Sequence, residues 1–302
     1  MCGILGLVHY NKSAPTFMEA KIFRSAISSL FKQSQIRGAD ATGMLLLTDS
    51  NAALFKDHVT AEDFIGTSEY SNMLKSLNRY NSFRVMLGHV REKTKGHQRF
   101  NINNHPIVAN RIIGVHNGII GNDDFLFDKY VSHLDRKGEV DSEIIFRLLD
   151  MYRKRGKTLV SAVEHTCEDI VGSYACAFID IENPNYVTLF SNKGNISIFV
   201  YENLKLIAFA SSIFILRRAL KNNSALDPSF TAHRIELNTN GIRIDTRTGK
   251  ILEFDIAKKK LTSPQTTSHQ STGCSLIGTM SQRSWVCECD HLCNGCPYYI
   301  EP

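Results

Sequence analysis

What this chain of 302 residues lacks narrows its reading first. No apolar run approaches the roughly 20 residues that a bilayer demands; runs such as 43–47 and 206–210 are strand-sized. The first residues, Met1-Cys2-Gly3-Ile4-Leu5-Gly6-Leu7-Val8, have neither a basic start nor a small-residue cleavage site, so a mature cytoplasmic protein is expected and no membrane partner. Neither charge sign dominates. A net charge of +5 and a pI near 8.7 are too slight a bias to argue for nucleic acid. There is no internal repeat. Cysteine is sparse through most of the chain, with only Cys2, Cys167 and Cys176 before the last 29 residues, and without a secretory signal metal binding or free thiols are expected over a disulfide framework.

What is present is an ordinary globular composition, 43% hydrophobic and 22% charged, in a chain long enough to bury a large core. Residues 1–10 read as a buried strand. Thr16 followed by Glu19 forms a capping-box pattern before Phe23, Ile27, Leu30 and Phe31 at helical spacing. Strands are expected at 44–48 and 84–90, and a hairpin over 107–120 turning at Asn110. Helices are expected after Asn122, after Asp141 and over 158–169. Strands then follow at 174–180, 186–191, 196–201 and 206–210, a helix at 211–220, and strands at 232–237, 242–245 and 251–254. Helices fall between groups of strands without regular β-α-β alternation, which predicts an α+β layered fold. A Ser/Thr/Gln/Pro-rich stretch suggests three segments: a domain over 1–260, a linker over 261–273 and a Cys-rich tail over 274–302.

Cys2 is the first residue with chemical promise. Trimming of Met1, usual before a small residue, would give it a free α-amine with a pKa of roughly 7.7–8.0, able to take the thiol proton. Met-Cys alone is a weak signal. It gains weight from Arg37-Gly38-x-Asp40-x-x-Gly43, Gly88-His89-x-Arg91, Asn104-His105-Pro106, His116-Asn117-Gly118 and Asp141-Ser142-Glu143, which follow it in that order. On these six motifs, covering roughly 1–255, the chain resembles the class II glutamine amidotransferases. The resemblance is to the N-terminal-nucleophile glutaminase domain, particularly the branch found in glucosamine-6-phosphate synthase and amidophosphoribosyltransferase.

The resemblance implies a four-layer αββα sandwich and L-glutamine as substrate. It implies Cys2 as nucleophile, with the Asn117 side chain and the Gly118 N–H as oxyanion donors. Arg91, whose fork suits a carboxylate, and Asp141, suited to an ammonium, would hold the α-groups of glutamine, with Thr94 adding a hydroxyl. Arg37, Gly38, Asp40 and His105 would support the site. Local alternatives stand beside two of these: Asn117-Gly118 is also a hairpin-turn pair, and Asp141 a plain helix N-cap. Catalysis would need no cofactor.

The segment Gly88–Gly96 departs from the family, which reads tryptophan and histidine where Glu92 and Lys95 stand here. That loop closes over glutamine in the family, so another γ-glutamyl or amide substrate is the second reading. Ammonia would pass to a separate synthase or acceptor protein; a homo-oligomer is left open. In the tail, Cys287, Cys289, Cys293 and Cys296, with Cys274 or His291 in reserve, have the donor types of a structural zinc site. A third reading is a non-catalytic scaffold that assembles through this tail.

Overall fold

The computed structural model describes residues 2–11, 13–49, 51–75, 77, 83–227 and 233–256, with the backbone of short strands at Leu261–Thr262, Leu276–Ile277 and Val286–Cys287. The chain opens with β1 (Gly3–His9), α1 (Phe17–Ser34), β2 (Ala41–Thr48), β3 (Ala52–Asp57), α2 (Ala61–Gly66), α3 (Ser68–Lys75) and β4 (Phe83–Arg91). There follow β5 (Ile107–Ala109), β6 (Ile112–Ile120), α4 (Asp123–Lys129), α5 (Ser142–Lys154), α6 (Leu159–Asp169), β7 (Gly172–Asp180) and β8 (Tyr186–Ser191). The last are β9 (Ile196–Tyr201), β10 (Leu206–Ala210), α7 (Ile213–Leu220), β11 (His233–Leu237), β12 (Gly241–Asp245), β13 (Ile251–Phe254) and β14 (Leu261–Thr262). No helix among the described residues is long and apolar enough to cross a membrane.

Two antiparallel seven-stranded sheets form the middle of the molecule, ordered β11-β9-β10-β1-β4-β2-β3 and β14-β13-β12-β8-β7-β6-β5. The residues of β1 show why they pack face to face. Leu5 and Leu7 point to α1 and α7, whereas Ile4 and Val8 point into the space between the sheets. A strand covered on both faces reads as continuously apolar, not alternating. The second sheet turns its other face to α5 and α6, burying Phe146, Leu149, Val163 and Phe178. Four layers result, α-β-β-α, as the motifs implied.

The local signal at the start of α1 behaves as expected, whereas the Asn122 and Asp141 side chains cap no N–H of the helices they precede. Thr16 and Glu19 form the full capping box: the Thr16 hydroxyl accepts from Glu19 N at 3.2 Å, and Thr16 N donates to the Glu19 carboxylate at 2.7 Å. The hairpin β5–β6 turns at Asn110, which has a positive φ of 52°. Helices α2 and α3 and strand β3 were not foreseen from the sequence.

Candidate active site

The site lies at one end of the sandwich, where the start of β1 and the end of β4 meet the middle of β6. Gly3 pairs with Val90, which sets Cys2 beside Arg91 and Glu92. The Cys2 thiol donates to the Glu92 carbonyl at 3.3 Å and receives the Glu92 N–H at 3.4 Å. Burial pushes this thiol up from its ordinary value, while the Glu92 backbone and the Arg91 charge pull the other way. A thiol so placed needs a base to become a thiolate.

The 37–43 turn braces both the cysteine and the loop after β4. Arg37 Nε donates to the Cys2 carbonyl at 2.8 Å, and the Asp40 carboxylate accepts from Lys93 N at 2.7 Å. Gly38 allows the turn to lie directly on this loop, since a Cβ there would stand 2.3 Å from the Arg91 carbonyl carbon.

Asn117 and Gly118 do not form a hairpin turn. They sit within β6, paired with Ala175 and Tyr174 of β7. Gly118 has φ of 151°, and a Cβ there would lie 1.9 Å from the Ser173 carbonyl oxygen. The position demands glycine twice over, for conformation and for space. Behind it, His116 Nδ1 shares a 2.8 Å hydrogen bond with Ser142 Oγ, and the His116 carbonyl is 3.0 Å from His89 Nε2. That contact ties the two sheets together beneath the site.

Three buried histidines underlie this end. His89 and His105 stack with centroids 4.1 Å apart. Burial lowers His89 to about 3 and pushes His105 well below its ordinary value; burial also lowers His116, against the pull of Asp141. In all three, burial favours the neutral ring. Neither ring nitrogen of His105 has a hydrogen-bond partner; the 104–106 segment is held instead by Lys56, which donates to the carbonyls of Asn104 and Pro106.

A cleft of about 700 Å³ opens over Cys2. Its near half is walled by Cys2, Arg37, Thr94, Asn117 and Gly118. Its far half runs past the start of α7 to Arg234, Glu236 and Asn238. Arg91 and Asp141 stand behind the wall, at 3% and 4% exposure. The Arg91 fork is occupied: it donates to the carbonyls of Lys95 and Gly96 at 2.7 and 2.8 Å, and to Asn104 Oδ1 at 2.8 Å. Asp141 is not a plain N-cap. Its side chain caps no N–H of α5 and instead accepts from Ile120 N of β6 at 2.7 Å.

Sequence reasoning missed the far half. Ser197 donates to both Glu236 oxygens at 2.7 and 2.9 Å, and Arg234 joins the same carboxylate at 3.0 Å. No motif announces these residues, which the β9–β11 pairing alone brings together. Among the described residues no cluster of His, Cys, Asp and Glu could hold a metal. Cys274, Cys289, His291, Cys293, Cys296 and the side chain of Cys287 lie outside the described residues.

Comparison with known proteins bears on this geometry. Residues 90–218 match the family model of the glutamine amidotransferase domain. The chain is 27% identical over 209 residues to the glutamine–fructose-6-phosphate aminotransferase (isomerizing) of Shouchella clausii, and 25% and 23% identical to those of Staphylococcus epidermidis and Bacillus anthracis. In each case the match covers 69% of this chain but 32% of the relative, so the chain spans about a third of those enzymes.

Among solved structures, a glutamine phosphoribosylpyrophosphate amidotransferase from B. subtilis superposes with a TM-score of 0.61 at 15% identity, over 85% of this chain and 50% of that one. A structure described as the allosteric regulatory enzyme of purine biosynthesis gives 0.62 at 16%, over 85% and 49%. The fold is that of these amidotransferases, and within it residues 90–218 match the glutamine amidotransferase domain.

Proposed function

We propose that this chain hydrolyses the side-chain amide of L-glutamine through Cys2, after Met1 is removed, and delivers the ammonia to an acceptor bound by another protein. The observation that carries the reading is the shared wall of the near half, where Cys2, Thr94, Asn117 and Gly118 border one cleft. Once freed, the α-amine of Cys2 takes the thiol proton, and the thiolate attacks the amide carbon. The oxyanion meets the Asn117 amide and the Gly118 N–H. The C–N bond breaks as the α-ammonium returns its proton to the departing nitrogen, leaving ammonia and a glutamyl thioester. Water, deprotonated by the same amine, then releases glutamate.

Arg91 and Asp141 are assigned to the α-carboxylate and α-ammonium of the substrate. For Arg91 this requires the carboxylate to displace the Lys95 and Gly96 carbonyls from its fork. Arg37, Gly38, Asp40 and His105 hold the wall in place. The domain is taken to span 1–260, and the cysteines at 287, 289, 293 and 296 to order the tail around zinc, which metal analysis of the full chain checks.

The volume of the cleft favours one second reading. Glutamine is much smaller than the ligands that such a space accommodates, so a larger γ-glutamyl or amide compound also fits the same chemistry. The test is intact mass before and after incubation with 6-diazo-5-oxo-L-norleucine, a glutamine mimic that alkylates such nucleophiles, with Cys2→Ala alongside. Loss of Met1 and a single adduct absent from the variant is the expected result. Processed protein without an adduct overturns the glutamine reading.

A further inference from the structure

The loop after β4 is fastened from two directions. On its own sheet, Arg91 and Asp40 hold its backbone, as described. Towards the other outer layer, Lys95 Nζ reaches the first turn of α4, 2.6 Å from Asp123 Oδ2 and 3.0 Å from both oxygens of Asp124. Arg136 bridges the same two carboxylates from the other side, at 2.6 Å to Asp124 and 3.2 Å to Asp123, with its guanidinium 4.8 Å over the Phe127 ring. Helix α4 is itself seated in the core by Leu126 and Phe127. Its first turn suits two carboxylates, because a helix N-terminus favours negative charge.

Between the two fastenings lie Glu92, whose backbone meets the Cys2 thiol, and Thr94, in the cleft wall. Lys95 thus anchors the same short loop that carries the two groups beside Cys2. Only 5% of the Asp123 side chain is exposed, so part of this network is shielded from water and screening salt; Asp124, at 69%, is not.

We propose that Lys95 is a positioning residue: shared between Asp123 and Asp124, its ammonium clasps the 92–99 loop to α4 and fixes how closely Glu92 and Thr94 stand over Cys2. The catalytic consequence rests on the glutaminase reading; the clasp does not. Lysine stands where the resembled family carries histidine, so the device belongs to this chain's own loop.

The experiment uses the full chain as wild type, Lys95→Met, Lys95→Arg and Asp124→Asn. Two readouts are independent of glutamine: amide hydrogen exchange over 92–99 and the rate at which iodoacetamide alkylates Cys2. Lys95→Met should raise both, alkylation by roughly three- to ten-fold, with a smaller rise in Asp124→Asn and near wild-type behaviour in Lys95→Arg. KM for glutamine should rise by a similar factor in Lys95→Met while kcat stays within a factor of about two. Added salt should raise KM in the wild type more than in that variant.

Unchanged exchange and alkylation in Lys95→Met and Asp124→Asn overturn the clasp. Faster alkylation with KM unmoved overturns its positioning role. If the two independent readouts shift but no form, wild type included, turns over glutamine, the functional reading falls and the clasp stands.

Discussion

The two halves of the cleft are built differently. Around Cys2 almost every backbone and side chain is held by a second residue: Arg37 on the Cys2 carbonyl, Asp40 on Lys93 N, Asp141 on Ile120 N, Ser142 on His116. The far half is a short polar strip, with the Ser197–Glu236–Arg234 contacts and loose neighbours such as Lys193, Asn195 and Asn238. Dense support is what transition-state chemistry requires, since a donor misplaced by about 1 Å loses most of its effect. A strip with few cross-ties can change its side chains without disturbing Cys2.

Substitutions break this contrast in graded steps. Asn117→Ala should cost the most activity, lowering kcat on glutamine roughly 10²–10³-fold with little change in KM, as steady-state kinetics would show. Gly118→Ala should damage both activity and folding, because its Cβ meets backbone and not a movable side chain. A loss of about 2 kcal/mol or more in denaturant unfolding is expected, and a near-neutral result would refute the packing argument.

Acid should act on the foundation of the near half. Burial holds His89, beneath the site, at about 3; at the opposite end of β1, burial with the Arg84 charge holds His9 at about 4, whereas the unfolded chain protonates each near 6.5. Because the folded pKa is lowered for a base, the unfolded state binds more protons between those values. Stability therefore falls as pH drops below about 6.5, with His89 alone costing about 2 kcal/mol by about pH 5. Thermal melts across this range check the sign, and His89→Gln should flatten part of the slope. In the far half, Arg234→Ala should shift kcat/KM for glutamine by less than about two-fold, within the range of surface changes.

Legibility followed the length of each pattern. Most strands of both sheets, β3 and β14 excepted, were readable because their apolar runs are continuous, and α1 because its cap and its four-residue periodicity agree. The stretch holding β3, α2 and α3 was not. Strand β3 is an exposed edge, and α2 has six residues with only Ala61 and Phe64 buried, too short for a period to register. Its one signal, Thr60 capping Asp63 N, is indistinguishable in sequence from a turn.

The site residues divide in the same way. The order of the motifs, through the family they resemble, pointed to Cys2, Thr94, Asn117 and Gly118, which the fold brings to one cleft. The sequence also demanded glycine at 118, though whether for a turn or a strand was open locally. Only tertiary pairing decided that: β7 lies against β6, and the Ser173 carbonyl leaves no room for a Cβ. Tertiary structure likewise placed Arg91 and Asp141 behind the wall, turned Lys95 towards α4 and assembled Arg234 with Glu236 and Ser197. Local sequence fixes what a side chain can do, because that depends on its own atoms. Where it points depends on strands and helices tens of residues away, whose contacts no local pattern encodes.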